Sequence, residues 1–387
     1  MQKTLDEMLK RNLASGEYAG ANAAVYRDGT CLYLHSVGYA DREAGRMMAP
    51  DTIFRIYSLT KPVTAVAVMQ LVEQGLIHPE MTVSRFMPEF LDFQVYISED
   101  ATHLARNELK IRHLLNMQSG MPYPGDRTPA ECAAATFFAQ MEEARADGEE
   151  YTTREFCCGI AGLPLAFDPG EHWMYGTSAD ILGGLIEVVT GQSFREYLYN
   201  HIFLPLEMYD TDFYVPPEKQ PRFAANYQQV EGQLIRDDSC CLGLNDFRTL
   251  PKFLSGGAGL TSTITDYAKF AQALACDGVG INGRRILSRA SVDYIRTPQV
   301  SGERFTKDQE WESLRGYAYG SLVRVLTDKT AFGTLANPGE FGWDGWTGTY
   351  FCSDPSERLS ILFFIQRNYA GTSDPAKLMR NIVYANL

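Results

Sequence analysis

What this chain lacks narrows its function before any motif is read. Its six histidines include no metal-binding spacing such as His-Glu-x-x-His, and its eight cysteines never form Cys-x-x-Cys, so no metal ion is expected. The cysteines are scattered, with two adjacent pairs at Cys157-Cys158 and Cys240-Cys241, and read as free thiols packed as small hydrophobes. Positive charge is scarce: 35 Lys and Arg against 48 Asp and Glu leave −13, which argues against nucleic acid or an anionic membrane as partner. Long apolar runs are missing too. The longest, Val63 to Val72, is too short to cross a bilayer. Met1 to Met8 starts an amphipathic helix without the apolar core of a signal peptide, so the chain is expected in the cytoplasm. There is no Walker A motif and no Gly-x-Ser-x-Gly elbow, which disfavours a nucleotide enzyme and an α/β-hydrolase. Gly278 to Gly283 spells Gly-x-Gly-x-x-Gly, but it follows a helix rather than a strand and reads as a glycine turn. No cofactor is expected.

What is present centres on Phe54 to Val63. A helix is predicted from about Leu59 to Gln74, stopped at Gly75, which suits the left-handed position after a helix end. Pro62 is tolerated only in a first turn, so Ser58 sits at or just before the helix start, beside free N–H groups and the positive end of the dipole. Val63 to Val72 is apolar or small on every side apart from Thr64 and Gln70, the pattern of a buried helix. Ser58 and Lys61, three apart, share one face of it. That is the geometry of a serine nucleophile with a lysine partner. Alone, Ser58 would read equally well as a cap, yet Ser58 is the one serine in the chain that stands three residues before a lysine.

The rest of the chain divides by texture. Ala21 to Arg27, Asp28-Gly29 and Cys31 to Tyr39 make a β-hairpin, and a third strand, Thr52 to Ile56, feeds the Ser58 helix. From about 79 to 242 short helical patterns alternate with Pro, Gly and Asp: Lys110 to Met121, Thr128 to Asp147, and Ser178 to Thr190 ended by Gly191. This stretch is expected to be an all-helical insertion. After it come Thr261 to Thr265 and a helix from Asp266 to Cys276. The strands Ala318 to Leu326, Gly348 to Ser353 and Ser360 to Gln366 follow, then a closing helix from Pro375 to Asn386. Sheet at both ends implies one α/β (α+β) domain, 1–78 with 243–387, and a helical domain, 79–242, with a cleft between them.

At Ser58-Leu59-Thr60-Lys61 the chain resembles the serine β-lactamase and penicillin-binding-protein superfamily, in its class C and family VIII carboxylesterase branch. The resemblance continues through Ile111 to Leu115 with Gln118-Ser119-Gly120, through Asp168-Pro169-Gly170-Glu171 before Tyr175, and through Gly257 to Leu260 and Gly342 to Thr349. It implies a β-lactamase/transpeptidase-like fold: an antiparallel sheet flanked by helices, and an all-helical inserted region. It further implies that Ser58 attacks a carbonyl to form an acyl-enzyme. An ordinary lysine is protonated at neutral pH, so Lys61 needs burial and a neighbouring phenol, which the resemblance assigns to Tyr175. Whether Lys61 or Tyr175 formally takes the proton stays open, because coupled groups titrate as a unit. The backbone N–H groups of Ser58 and Trp346 are the implied oxyanion donors, and Gly345 would let substrate approach that strand.

Two departures bear on substrate. The family's Tyr-x-Asn is Tyr175-Gly176-Thr177 here, which removes an amide able to bind an acylamino side chain. Its Lys-Thr-Gly or His-x-Gly is Trp343-Asp344-Gly345, so an aromatic and a carboxylate replace the cation that would hold a β-lactam or peptide carboxylate. Trp-x-Gly is similar to what family VIII carboxylesterases carry. The expectation is a carboxylesterase acting on small or short-chain esters. A β-lactamase or D-amino-acid peptidase, an acyltransferase, and an inactive ligand-binding relative are the alternatives. The partner is then a small-molecule ester or amide. Tyr123 and Thr177 are expected to face the cleft beside Trp343, Asp344 and Gly345; Asp180 reads as an ordinary helix residue.

Overall fold

A computed structural model describes residues 1–301, 311 and 314–387. Its centre is an eight-stranded antiparallel sheet, and the strand order carries chain from both ends. From one edge inward lie Tyr317–Tyr319, Arg324–Leu326, Phe341–Asp344, Tyr350–Asp354 and Leu359–Phe364. Then come the N-terminal hairpin, Gly20–Arg27 and Thr30–Asp41, and the short edge strand Arg46–Met47. The join between the two ends is the pairing of Gly20–Arg27 with Leu359–Phe364, Ala24 opposite Leu362. Asp28 and Gly29 both take positive φ at the hairpin turn, as Asp-Gly turns require.

Alternation along the central strands builds a core on each side. Ala23, Val25, Ile361 and Phe363 point toward the terminal helices, Gln2–Ala14 and Asp374–Tyr384, and pack with Leu5, Leu9, Met379 and Val383. Ala24, Leu362 and Phe364 point the other way and join Tyr267 and Phe270 of the Ile264–Ala275 helix and the Thr60–Glu73 helix. Each large side chain so buried contributes roughly 1.5–3 kcal/mol against the cost of ordering the chain.

Between the two halves of the sheet the chain is mainly helical, with Pro129–Ala146, Thr153–Ala161 and Ser178–Thr190 as its longer helices. It is not all-helical, however. Two small hairpins, Gln94–Ser98 with Ala101–Leu104 and Tyr227–Val230 with Gln233–Arg236, lie within it. They escaped the sequence reading because isolated two-stranded ribbons are short and mostly exposed, with little alternation to read. The expected single strand over Ala318 to Leu326 is likewise two antiparallel strands turned at Gly320 to Val323. Among the described residues, no helix is long and apolar enough to cross a membrane.

Candidate active site

Ser58 lies in a single 3-10 turn, Tyr57–Leu59, which runs into the Thr60–Glu73 helix, and Gly75 beyond it takes φ +70°. Every residue of that helix from Thr60 to Leu71 is buried, so the helix is gripped from all sides. Its mouth is tied down by specific bonds. Strand Ile53–Arg55 pairs with Thr261–Thr263; Thr64 Oγ1 donates to the Gly256 carbonyl at 2.7 Å and Tyr267 to the Leu59 carbonyl at 2.7 Å. Tyr57, immediately before Ser58, holds φ +42°, a conformation unfavourable for a bulky side chain. Its ring is locked edge-on against Phe247 and Trp346, which keeps the strained turn in place.

Lys61 is wholly buried and donates three hydrogen bonds. Its Nζ donates to Ser58 Oγ at 3.1 Å, to the Tyr123 hydroxyl at 3.0 Å and to the Gly257 carbonyl at 2.8 Å. Burial pushes its pKa down to about 7, against the opposing pull of the Asp180 and Asp344 carboxylates. The ammonium is therefore held close to its point of proton loss at neutral pH.

Two phenols flank this pair. Segments 117–122 and 170–177 run side by side: Met174 N–H bonds the Met117 carbonyl, Pro122 bridges Gly176, and Thr177 N–H bonds the Met121 carbonyl. Gly176 permits the approach, because a Cβ there would collide with the Met121 backbone. The result places the Tyr123 and Tyr175 rings edge to face at 5.5 Å. Tyr175 turns its ring toward Lys61, with Nζ 4.4 Å from the centroid, while its hydroxyl accepts from Trp343 Nε1 at 3.1 Å. Burial raises the Tyr175 pKa, and hydrogen bonding to Ser58 and Trp343 pulls it back. Tyr123 is raised well above the ordinary value, chiefly by burial and then by the Asp180 charge.

Asp180 is part of this machinery, although the sequence reading passed it over. It is 2% exposed, and its Oδ1 accepts from Ser255 Oγ at 2.5 Å and Gly257 N–H at 2.9 Å. It thus anchors Gly257, the residue whose carbonyl holds Lys61. Burial raises its pKa, while Lys61, Ser255 and Gly257 pull the other way. A carboxylate in the first turn of a helix that is mostly apolar was the available signal.

A cavity of about 620 Å³ opens over Ser58, lined by Tyr57, Tyr123, Tyr175, Trp311, Trp343, Asp344 and Trp346 among others. Trp343 stacks on Tyr175 at 5.6 Å, and Trp311 meets the same ring edge-on at 4.9 Å. Among the described residues no lysine, arginine or histidine lines it. None of their His, Cys, Asp and Glu side chains form a group of three or more able to hold a metal ion.

Two expected roles look different in three dimensions. Thr177 does not reach the cavity: it is fully buried, with Oγ1 donating to the Met121 carbonyl at 3.3 Å. The space left by Gly345 belongs to the Ile56 carbonyl and Thr349 Oγ1, which a Cβ would strike, rather than to a substrate. Thr349 Oγ1 and Thr347 Oγ1 donate at 3.2 Å to the Ile56 and Arg55 carbonyls, clamping the strand end to the Ser58 turn. Trp346 is thereby seated against Tyr57.

Comparison with known proteins agrees with this arrangement. A family model described as Beta-lactamase matches residues 5–385. Protein Rv1367c of Mycobacterium tuberculosis is 32% identical over 367 residues, covering 91% of this chain and 86% of that protein. Esterase EstB of Burkholderia gladioli is 30% identical over 395 residues, covering 98% of this chain and 94% of its own. Among solved structures, EstCE1, described as a hydrolase with promiscuous acyltransferase activity, superposes with a TM-score of 0.82. That match has 23% identity and covers 99% of this chain and 98% of the other.

Proposed function

The chain belongs to the β-lactamase family of serine hydrolase-type enzymes, and from that premise we propose that it is a carboxylesterase acting on small, uncharged esters through Ser58. The observation that carries this reading is the cavity wall: aromatic rings from Tyr175, Trp311, Trp343 and Trp346 stand over the serine, with no cation among the described lining residues to hold a substrate carboxylate. Apolar acyl groups gain by burial there, whereas a β-lactam or a peptide C-terminus would lose its hydration without a partner. The 30% identity to an esterase over nearly the full length supports the same reading.

In the proposed reaction, neutral Lys61 takes the Ser58 proton across their 3.1 Å contact as Oγ attacks the ester carbonyl. Lys61 is favoured as base over Tyr175 because its pKa is lowered to about 7 while the phenol is raised. The backbone N–H groups of Ser58 and Trp346 would stabilise the oxyanion. Tyr175, hydrogen-bonded to Ser58 and Trp343, would relay to the departing alcohol the proton gained by Lys61, giving up its phenol proton and recovering one from the ammonium so that it stays neutral. Water then reverses the sequence and frees the acid. Cleft cover by the helical segment 79–242 belongs to this same proposal.

The test is kcat/KM for p-nitrophenyl butyrate against nitrocefin, with Ser58→Ala as control. A ratio far above one that vanishes in the variant supports an esterase. A ratio below one would favour a β-lactamase, and absence of Ser58 labelling by a fluorophosphonate would leave a ligand-binding relative.

A further inference from the structure

One charge pair on the cavity wall neither gives nor takes a proton in the proposed chemistry. Arg324, on the strand beside Phe341–Asp344, is 1% exposed. Its guanidinium carbon sits 5.4 Å, 5.8 Å and 5.2 Å from the ring centroids of Tyr317, Trp343 and Tyr350. Nη1 donates to Asp344 Oδ2 at 2.5 Å and to Thr372 Oγ1 at 2.8 Å, and the Thr372 hydroxyl donates onward to the same Asp344 oxygen. Among the described residues, Nε and Nη2 have no hydrogen-bond partner. Asp344 and Thr372 both line the cavity that holds Ser58.

A fixed cation and a hydroxyl donor therefore converge on one carboxylate oxygen. This is what a receptor for a carboxylate ligand looks like, with the chain's own side chain as occupant. A guanidinium this deep stays charged, so it must keep an anion beside it. With Asp344 in place the pair is neutral, and an incoming carboxylate meets the Asp344 side chain, which is 21% exposed, before it can reach Arg324.

We propose that Asp344 occupies, from within the chain, the position at Arg324 and Thr372 that the carboxylate of an acidic substrate would otherwise take, and so restricts the enzyme to esters with uncharged acyl groups. The inference rests on the esterase reading and adds the class of substrate refused. Removing the Asp344 side chain empties a site that already has its cation and its hydroxyl.

The experiment compares wild type, Asp344→Ala and Asp344→Ala with Arg324→Met. Substrates are p-nitrophenyl butyrate and its acidic analogue, mono-p-nitrophenyl succinate. Asp344→Ala is expected to raise the succinate-to-butyrate ratio of kcat/KM at least ~tenfold, the size of one charge-assisted hydrogen bond, and the double variant to lose that gain. A ratio unchanged from wild type in Asp344→Ala, or a gain that survives in the double variant, overturns the proposal. Thermal melting supplies a readout independent of turnover. Sodium acetate, against sodium chloride at equal ionic strength, should raise the Tm of Asp344→Ala and leave wild type unmoved; equal shifts in both would overturn the site even if neither ester is cleaved. If Asp344→Ala is insoluble, Asp344→Ser, which likewise vacates the carboxylate position, takes its place with the same expected direction. Loss of all turnover in wild type would sink the esterase reading alone.

Discussion

Lys61 donates a hydrogen bond to the Tyr123 hydroxyl at 3.0 Å, whereas Tyr175 offers the same ammonium its ring face, 4.4 Å from Nζ to centroid. The two phenols at this site therefore do different things: Tyr123 steadies the lysine, and Tyr175 stands between Ser58 and Trp343. Tyr175→Phe should then remove the proton path and lower kcat by ~10²–10⁴-fold, with KM little changed. Tyr123→Phe, which deletes one of three bonds to Lys61, should cost about tenfold. Parallel kcat and KM measurements separate the cases; equal losses would mean that the phenols act as one unit.

The pH profile follows from Lys61. With a pKa near 7, kcat/KM should rise with unit slope up to about pH 7 and level off above it. Asp180 raises the Lys61 pKa by its charge, so Asp180→Asn should move that acid limb to lower pH. A limb that stays put would separate Asp180 from the base.

Folding stability should carry the same signature. Lys61 has a lower pKa folded than unfolded, so between about pH 7 and its ordinary 10.5 the unfolded chain binds the extra proton, and wild-type stability rises with pH. Below about pH 7 both states are protonated, and the full cost of the buried charge remains. Lys61→Met should gain on wild type as pH falls from 9 to 7, then hold a constant margin. Urea titrations at pH 6, 7 and 9 would reveal an opposite trend if the sign is wrong.

Gly345→Ala forces a methyl group into the Ile56 carbonyl and Thr349 Oγ1. The strand end must then move away from the Ser58 turn, so kcat should fall ~10²-fold or more if Trp346 contributes an oxyanion donor. Full activity in a folded variant would remove that strand from catalysis.

Thr177→Val should lower stability by about 1 kcal/mol through the lost bond to Met121, with KM for the ester unchanged. A raised KM would return Thr177 to the binding surface.

Much of this molecule could be read from local pattern. The buried helix after Ser58, its stop at Gly75, the Asp28-Gly29 hairpin and the Ser178–Thr190 helix each follow from periodicity and turn chemistry, which act over a few residues. The Ser58–Lys61 pairing belongs to the same class, since one helical turn fixes it. The roles of Asp180, Gly345 and Thr177 do not, because each depends on what an element distant in sequence places beside it. Asp180 is defined by Gly257, Gly345 by Ile56 and Thr177 by Met121. Asp344 is the clearest case: in sequence it is a carboxylate that repels anions, and in the fold it is neutralised by Arg324, twenty residues earlier on the neighbouring strand. Spacing along the chain thus determined which serine and which lysine face each other across one helical turn. Only tertiary packing, which sets burial and brings charges from separate strands within a few ångströms, decided the proton balance of Lys61 and the charge that a substrate meets.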